Sequence, residues 1–231
     1  MTWTCKPAAV MLALTGAVFV AGCNHVSYVA RGSAETVTGR DPDAAPLSRQ
    51  VDYHLNRAFY ETPPDCVMVL PVKLPKGTRP DLGRKIDRAV GRHLNGYMDK
   101  VIGARRVRAE ARRRALDPSH PGDRRRLARS LRCDSVMETA TMGIDSLYAV
   151  VWTNLSVSLT LTLKRARDGQ VLWRGAHTAE RMDGGLPISV FGAGAGLFSA
   201  GKLAGDADAV PSMIDDNLRR TLASLPDMRR N

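Results

Sequence analysis

The feature that most constrains the fold is an alternating stretch in the second half of the chain. Its apolar positions are Leu155, Val157, Leu159, Leu161 and Leu163, and polar residues stand between them. Successive side chains of a strand point to opposite faces, so the pattern predicts an antiparallel strand with one buried face. Asp168 and Gly169 then predict a hairpin turn, because glycine supplies the positive φ that such turns require. Residues 171–176 would return as the partner strand.

Shorter apolar patterns predict the remaining elements. Residues 66–72 and 133–142 are typical of two buried strands, and a short strand is expected at residues 106–109. Apolar residues at helical spacing predict helices over 82–101 and 210–225, and a very basic helix should precede Cys133. The order β-α-(β)-α-β-β-β-α predicts an α+β fold: a mixed sheet of about five strands with helices packed against it.

The amino terminus has the pattern of a secretion signal. Lys6 is the only charged residue before Cys23, and an apolar run occupies residues 8–20. This run is shorter than the roughly 20 residues of a membrane-spanning helix, and small residues precede Cys23. Residues 20–23 (VAGC) resemble the bacterial lipobox, so we expect residues 1–22 to be removed and Cys23 to carry lipid. An uncleaved buried helix is the alternative. In lipoproteins with this motif, Asp directly after the lipidated cysteine favours retention at the inner membrane. This chain has Asn24 at that position, which favours the outer membrane.

These boundaries define the expected organisation of the chain. Residues 23–60 are interpreted as a lipidated amino terminus and flexible tether, because glycines and prolines interrupt them; a short helix within 48–59 is the alternative. Residues 61–226 are expected to form one α/β envelope domain that contains a glycine-rich apolar segment at 184–205. Residues 227–231 would be a tail.

Positive charge is concentrated in one part of the sequence. The chain has 34 Lys and Arg against 23 Asp and Glu, and residues 100–132 hold twelve basic and three acidic residues. Such a segment attracts anionic headgroups or other polyanions at short range; a solvated helical face is the alternative. Export makes nucleic acid an unsuitable partner. The predicted basic patch comprises Arg112, Arg113, Arg114, Arg124, Arg125 and Arg126.

Two cysteines remain after export. Cys5 would leave with the signal and Cys23 would be lipidated, which leaves Cys66 and Cys133 in an oxidising compartment. If their strands are parallel neighbours, both cysteines lie at the strand starts, about 5 Å apart. That separation is within the Cα reach of a disulfide, so we expect a Cys66–Cys133 bridge, with two free thiols as the alternative.

Four stretches resemble a known family: residues 67–72, 132–136, 143–148 and the hairpin 167–175 (RDGQVLWRG). They are similar to periplasmic lipoproteins with a CsgG-like or TolB amino-terminal-like α/β domain, and more closely to small neisserial-type surface lipoproteins. The likeness spans roughly residues 60–225, and its motifs are structural. Cys133 stands where that family usually has Ala or Gly. The resemblance implies a non-catalytic role in assembly, secretion or transport, often as an oligomer, with Trp173 covering the sheet.

The sequence offers little that is typical of an active site. It has no Gly-x-Ser-x-Gly motif, and its five histidines are not at metal-ligand spacing. Residues 196–202 match the start of a phosphate-binding loop, but Leu203 stands where Ser or Thr would bind magnesium. We therefore expect no enzymatic activity, no metal, no nucleotide and no cofactor beyond the covalent lipid.

An uncharged segment remains to be explained. Residues 184–201 include six glycines and several large apolar residues, a composition that an exposed surface usually avoids. We interpret Phe191, Leu197 and Phe198 as a docking surface for a membrane or a partner; a simple connector is the alternative.

Together these features predict a non-catalytic periplasmic lipoprotein anchored in the outer membrane. It would serve assembly, secretion or envelope integrity through contacts with itself or with another envelope protein. The alternative is an accessory lipoprotein of a transport or lipid-trafficking system that binds anionic lipid through its Arg-rich face.

Overall fold

The computed structural model describes residues 26–37, 49–78, 80–149, 152–183 and 208–229. These residues form seven strands and five α-helices. The elements are β1 Val26–Ala30, β2 Arg49–Leu55, α1 Ala58–Glu61, β3 Cys66–Val69, α2 Pro80–Leu94, β4 Lys100–Ile102, α3 Ala104–Arg113, α4 Pro121–Leu131, β5 Ser135–Ala149, β6 Trp152–Arg165, β7 Val171–Asp183 and α5 Ala209–Leu222.

All seven strands belong to one mixed sheet with the order β1-β2-β7-β6-β5-β3-β4. β5, β6 and β7 form an antiparallel meander, while β3 lies parallel to both β5 and β4, and β1 lies parallel to β2. The α+β fold class is therefore confirmed, with two more strands than the sequence analysis expected.

The predicted hairpin is present between β6 and β7. Val157, Leu159, Leu161 and Leu163 are all buried, as the alternation requires. Gly169 adopts a φ of +77°, and the Asp168 carboxylate accepts a hydrogen bond of 2.9 Å from the Gln170 amide. This side-chain contact stabilises the turn locally, so the hairpin is encoded by sequence-adjacent residues.

Apolar cores lie on both faces of the sheet. On one face, α2 and α5 pack against β3, β5, β6 and β7 through residues such as Ile86 and Leu218. On the other face, α3 and α4 cover β3, β4 and β5 through Val107 and Leu127. β3 is buried on both faces, which explains its continuous apolar run.

The prediction of a flexible tether over residues 23–60 is wrong for residues 26–30 and 49–55, which are strands. β2 pairs antiparallel with β7, so that Tyr53 lies opposite Gly175, and β1 adds alongside β2. β2 carries only a short alternation of Val51, Tyr53 and Leu55 with polar residues, and β1 carries none. β2 pairs with the edge of β7 that β6 leaves free, and β1 pairs with β2. The alternative helix within 48–59 is wrong over residues 49–55, and α1 begins only at Ala58.

The region between α2 and α4 also differs from the prediction. The helix expected over 82–101 ends at Leu94, where Asn95 and Gly96 begin a turn, and Val101 belongs to β4 instead. The strand expected at 106–109 is part of α3. Val107 and Ala111 lie one helical turn apart and both enter the core, which favours the helix. The predicted basic helix before Cys133 is α4.

The carboxyl-terminal tail is attached to the domain through residue 228. The Met228 amide donates a 2.8 Å hydrogen bond to the Tyr97 carbonyl, and its side chain packs against the core. The predicted signal peptide, Cys23 and the segment 184–205 lie outside the described residues. Among the residues that the structure describes, no helix has the length and apolar character to cross a membrane.

Candidate functional site

The site is built around a disulfide between two neighbouring strands. Cys66 opens β3 and Cys133 precedes β5; their Cα atoms are 5.1 Å apart and their sulfurs are bonded across 67 residues of sequence. The two strands are parallel, as the sequence analysis assumed, with Val67 opposite Ser135. The bond therefore joins the starts of two central strands.

Polar contacts fix the chain around the disulfide. The Asp134 carboxylate accepts hydrogen bonds from the amides of Asp65 at 3.3 Å and Cys66 at 3.2 Å. The buried Ser135 hydroxyl donates a 2.6 Å hydrogen bond to the Cys66 carbonyl. These contacts hold the loop before β3 against the loop before β5.

A cavity of about 690 Å³ opens at this end of the sheet. Its volume is within the range of roughly 300–1,000 Å³ that is usual for small-molecule sites. Buried residues from four segments of the chain give it an apolar floor. These residues are Pro64, Cys66, Ala128, Cys133 and Leu172.

Basic side chains surround the floor of the cavity. Six basic residues line it against two acidic ones, Asp65 and Asp134, so the site carries a formal excess of positive charge. The basic residues are Lys100, Arg125, Arg129, Arg132, Arg165 and Arg167.

Three of these arginines come together because of how α4 is built and how it ends. Arg125 and Arg129 lie one turn apart on one face of α4, and Arg132 directly follows the last residue of the helix. Arg132 has a φ of 50°, and the Cys133 amide donates a 2.9 Å hydrogen bond back to the Ala128 carbonyl. This left-handed helix end, of the kind usually made by glycine, turns the chain directly into β5.

The arginines differ in how they are engaged. Arg165 donates a 2.6 Å hydrogen bond to the Gln170 side chain and a 3.3 Å one to the Ala58 carbonyl. Arg125, Arg129 and Arg132 are exposed, and their side chains form no ion pair or hydrogen bond with any residue in the described ranges. These three guanidinium groups are therefore available to a ligand.

The predicted basic patch is divided by local ion pairs. Arg113 and Arg114 both bind Glu110, and Arg126 lies 3.7 Å from Asp123. Arg124 forms an ion pair with Glu138 on the sheet. Only Arg112 and Arg125 have no such partner in the part of the chain described, and only Arg125 lines the cavity.

Glu138 is the centre of a second group of charges. Lys164 lies 3.2 Å and Lys73 3.5 Å from its carboxylate, in addition to Arg124. Burial favours the neutral acid, but the surrounding cations outweigh it and lower the pKa of Glu138 below its ordinary value of 4.5. The cluster sets one carboxylate among three cations, and of the basic residues near α4 it engages only Arg124.

The buried histidine is engaged in packing contacts. Burial lowers the pKa of His177, and its Nδ1 lies 2.6 Å from the Gln50 carbonyl in the neighbouring strand. Within the described ranges, no three His, Cys, Asp or Glu side chains converge as metal ligands would. The expected lack of enzymatic activity and of cofactors stays a prediction.

The outer edge of β1 is a second candidate surface. β1 ends the sheet on one side, and its outer edge has no strand partner among the described residues. Tyr28 on this strand is 44% exposed, and its hydroxyl donates a 3.3 Å hydrogen bond to the Arg220 carbonyl. An open edge of this kind can accept a strand from another chain.

Sequence reasoning found one part of the cavity and missed another. It paired Cys66 with Cys133 and included Arg125, but it left Arg129, Arg132 and the hairpin residues Arg165 and Arg167 out of the patch. The four-residue spacing from Arg125 was a usable signal for Arg129, which lies on the same face of α4. Cys23 and the predicted docking residues Phe191, Leu197 and Phe198 lie outside the described residues.

Comparison with known proteins gives likeness in structure alone. No family model and no curated protein matches this chain. Its fold is similar to the PelC dodecamer of Paraburkholderia phytofirmans, with 19% identity over 71% of this chain and 89% of that one and a TM-score of 0.45. Lipoprotein GNA1162 of Neisseria meningitidis is 14% identical over 69% of this chain and 99% of its own, with a TM-score of 0.47.

A minor lipoprotein of Acinetobacter baumannii is 11% identical over 72% of this chain and 97% of its own, with a TM-score of 0.35. Two of these three similar structures are described as lipoproteins. At these identities the likeness concerns the fold. The finer resemblance to CsgG-like and TolB-like domains stays a prediction.

Proposed function

We propose that this chain is a non-catalytic lipoprotein held at the periplasmic face of the bacterial outer membrane. The observation that carries the proposal is the lipobox-like sequence, whose Cys23 lies only three residues before Val26, the first residue of β1. Three residues span at most about 11 Å. Lipid on Cys23 would therefore hold the start of β1 close to the bilayer, without a long tether.

The domain would act through protein contacts in assembly, secretion or envelope integrity. The open edge of β1 supports this role, because an unpaired strand can bind a second copy of the chain or another envelope protein by adding a strand. Confinement at the membrane raises the local concentration of both partners, so a modest interface would suffice.

A second candidate function is favoured by the cationic cavity. Three arginines without partners among the described residues would suit an accessory protein of transport or lipid trafficking that binds anionic lipid. The cavity lies at the opposite end of β2 from the expected anchor. Val26, near the anchor, pairs with Arg49 at the start of β2. Leu55 at the end of β2 pairs with Trp173, which is next to the cavity residue Leu172. Six residues of strand separate the two pairs, about 20 Å.

Membrane attachment is tested with Cys23→Ala. We expect wild-type protein in the outer-membrane fraction and labelled by palmitate, and the variant unlabelled and outside the membrane fraction. Asn24→Ala is the matched control, since it leaves the cysteine intact. Identical fractionation of wild type and Cys23→Ala, with no label on either, would contradict the proposal.

Partner contact at β1 is tested by in-cell photo-crosslinking from position 28, with position 60 as control. Tyr28 lies on the edge strand and Tyr60 on α1, and both are exposed, at 44% and 63%. We expect adducts from position 28 and none from position 60. Self-adducts would identify an oligomer, and one recurrent envelope protein would identify a hetero-partner. Absence of adducts at position 28 would exclude β1 as the interface.

A further inference from the structure

We propose that the cavity beside the Cys66–Cys133 disulfide binds a single anionic amphiphile. Its phosphate or carboxylate head would be held by Arg125, Arg129 and Arg132, and its apolar part would lie on the cavity floor. The inference rests on the second proposed function, lipid handling, and it adds a defined site, a ligand class and a stoichiometry of one.

Charge is the first argument for this ligand. Arg125, Arg129 and Arg132 lie within eight residues, in α4 or directly after it, and line one cavity with like charges, and none of them forms an ion pair with a described carboxylate. Guanidinium groups bind phosphate and carboxylate oxygens through paired N–H donors, a geometry that lysine cannot provide. An anion bound between them would offset these like charges.

The two acidic residues of the cavity, against six basic ones, leave a formal excess of four positive charges. The Asp134 carboxylate is engaged by the amides of Asp65 and Cys66, so its role is to cap the start of β3. Lys100 adds a further cation, and its ammonium group donates a 2.9 Å hydrogen bond to the Arg132 carbonyl. This contact places a positive charge beside Arg132 without consuming the Arg132 guanidinium.

The floor of the cavity is the second argument. Leu172, Ala128 and the disulfide sulfurs are buried and apolar, and they give a bare inorganic ion nothing to contact. A ligand that fills about 690 Å³ would need an apolar body as well as an anionic head. Each methylene group buried there would strengthen binding, because apolar surface is removed from water.

The site is also formed in advance of ligand binding. The disulfide and the Ser135–Cys66 hydrogen bond fix two walls, and the left-handed end of α4 fixes the third. A preformed site loses little conformational entropy on binding. The site lies about 20 Å along the sheet from the start of β1, and therefore away from the expected anchor. This separation favours a single lipid molecule taken out of the bilayer as the ligand, and not the surface of the bilayer itself.

The probe for the test is dihexanoylphosphatidylglycerol below its micellar concentration, titrated into the full mature chain by calorimetry. Dihexanoylphosphatidylcholine has the same chains without net charge, and inorganic phosphate has the charge without chains. We expect one molecule of the anionic lipid per chain and at least tenfold weaker binding of both other probes. Affinity for the anionic lipid should fall as salt is raised.

Variants locate the binding. Arg129→Gln should lower the affinity for the anionic lipid at least tenfold, and so should Arg125→Gln as a second variant. Arg112→Gln is the matched control, because Arg112 is also an exposed arginine without a described partner but lies outside the cavity. All three positions are exposed, so urea unfolding should give the wild-type midpoint for each variant.

Several results would overturn the inference. Equal binding of the zwitterionic lipid would remove the role of charge, and phosphate binding as tight as lipid binding would leave a simple anion site. Equal losses in Arg112→Gln and Arg129→Gln would mean a diffuse surface. Binding to phosphatidylglycerol vesicles without binding of the monomer would favour a membrane surface. None of these results depends on Cys23, so failure of the anchor and failure of the cavity are distinguishable.

Discussion

The side-chain amide of Asn217 donates a 2.9 Å hydrogen bond to the backbone carbonyl of Val157. The same nitrogen donates a 2.7 Å hydrogen bond to the His177 carbonyl, so one residue of α5 is bound to both β6 and β7. Asn217 is fully buried, and the Thr221 hydroxyl donates to its Oδ1 at 3.2 Å. This polar contact fixes the position of the last helix within an otherwise apolar interface.

Asn217→Leu should therefore lower the free energy of unfolding by about 1–3 kcal/mol, because it removes two buried hydrogen bonds and leaves carbonyls without their donor. Urea unfolding followed by circular dichroism measures the change. Ser212→Ala is the control, because the Ser212 hydroxyl donates only within its own helix, to the Ala209 carbonyl. This variant should lower the free energy of unfolding by less than about 0.5 kcal/mol. Equal losses in both variants would contradict the assigned role.

Gly175 is required by the close approach of α5 and of Trp173. A Cβ atom at position 175 would lie 2.4 Å from Trp173 Cζ2 and 2.8 Å from Thr221 Cγ2. Both neighbours are completely buried and have no room to move. Gly175→Ala should lower the free energy of unfolding by about 1–3 kcal/mol through overpacking.

The control for Gly175→Ala is Gly91→Ala in α2, where an added Cβ would meet nothing within 4 Å. Alanine is a better helix former than glycine, so Gly91→Ala should raise the free energy of unfolding by about 0.5–1 kcal/mol. Thermal unfolding of the two variants should thus shift in opposite directions. Shifts of the same sign and size would show that the contact at Gly175 had been misjudged.

The Glu138 cluster makes stability depend on pH. Burial opposes ionisation of Glu138, but Lys164, Lys73 and Arg124 lower its pKa below 4.5 in the folded protein. The unfolded chain then binds the proton more readily than the folded one. The stabilisation is therefore complete above the unfolded pKa and is lost as the pH falls through the folded pKa.

Glu138→Gln should lower the free energy of unfolding at pH 7 by about 1–3 kcal/mol, because three cations lose their shared carboxylate. The difference from wild type should shrink as the pH falls below about 4.5. Glu61→Gln, in an exposed pair 3.8 Å from Arg57, is the control and should change little. A difference that stayed constant between pH 7 and pH 3 would refute the electrostatic origin.

The disulfide should contribute strongly to stability. It closes a loop across 67 residues of sequence, and a loop of that size is expected to contribute about 2–4 kcal/mol by restricting the unfolded chain. Reduction should lower the urea midpoint of the wild type but leave that of the Cys66→Ala/Cys133→Ala double variant unchanged. Thiol titration of the native protein should detect no free cysteine at either position.

The sequence by itself determined the hairpin and the two-sided burial of β3. Leucines at every second position around Leu161 predict that one face of β6 lies in the apolar core, and Gly169 supplies the turn. These signals are local, since the residues that produce them are close in sequence. The pairing of Cys66 with Cys133 was also within reach, because both cysteines directly precede apolar strand patterns.

Tertiary structure decided the rest. β2 pairs with the edge of β7 and β1 pairs with β2, and the short alternation of Val51, Tyr53 and Leu55 did not by itself distinguish a strand from a tether. The cavity joins four segments that are distant in sequence, so its apolar floor could not be read from any one of them. The number of arginines near α4 is visible in the sequence, but their partners are not. Packing of α4 against the sheet pairs Arg124 with Glu138. It leaves Arg125, Arg129 and Arg132 without partners among the described residues.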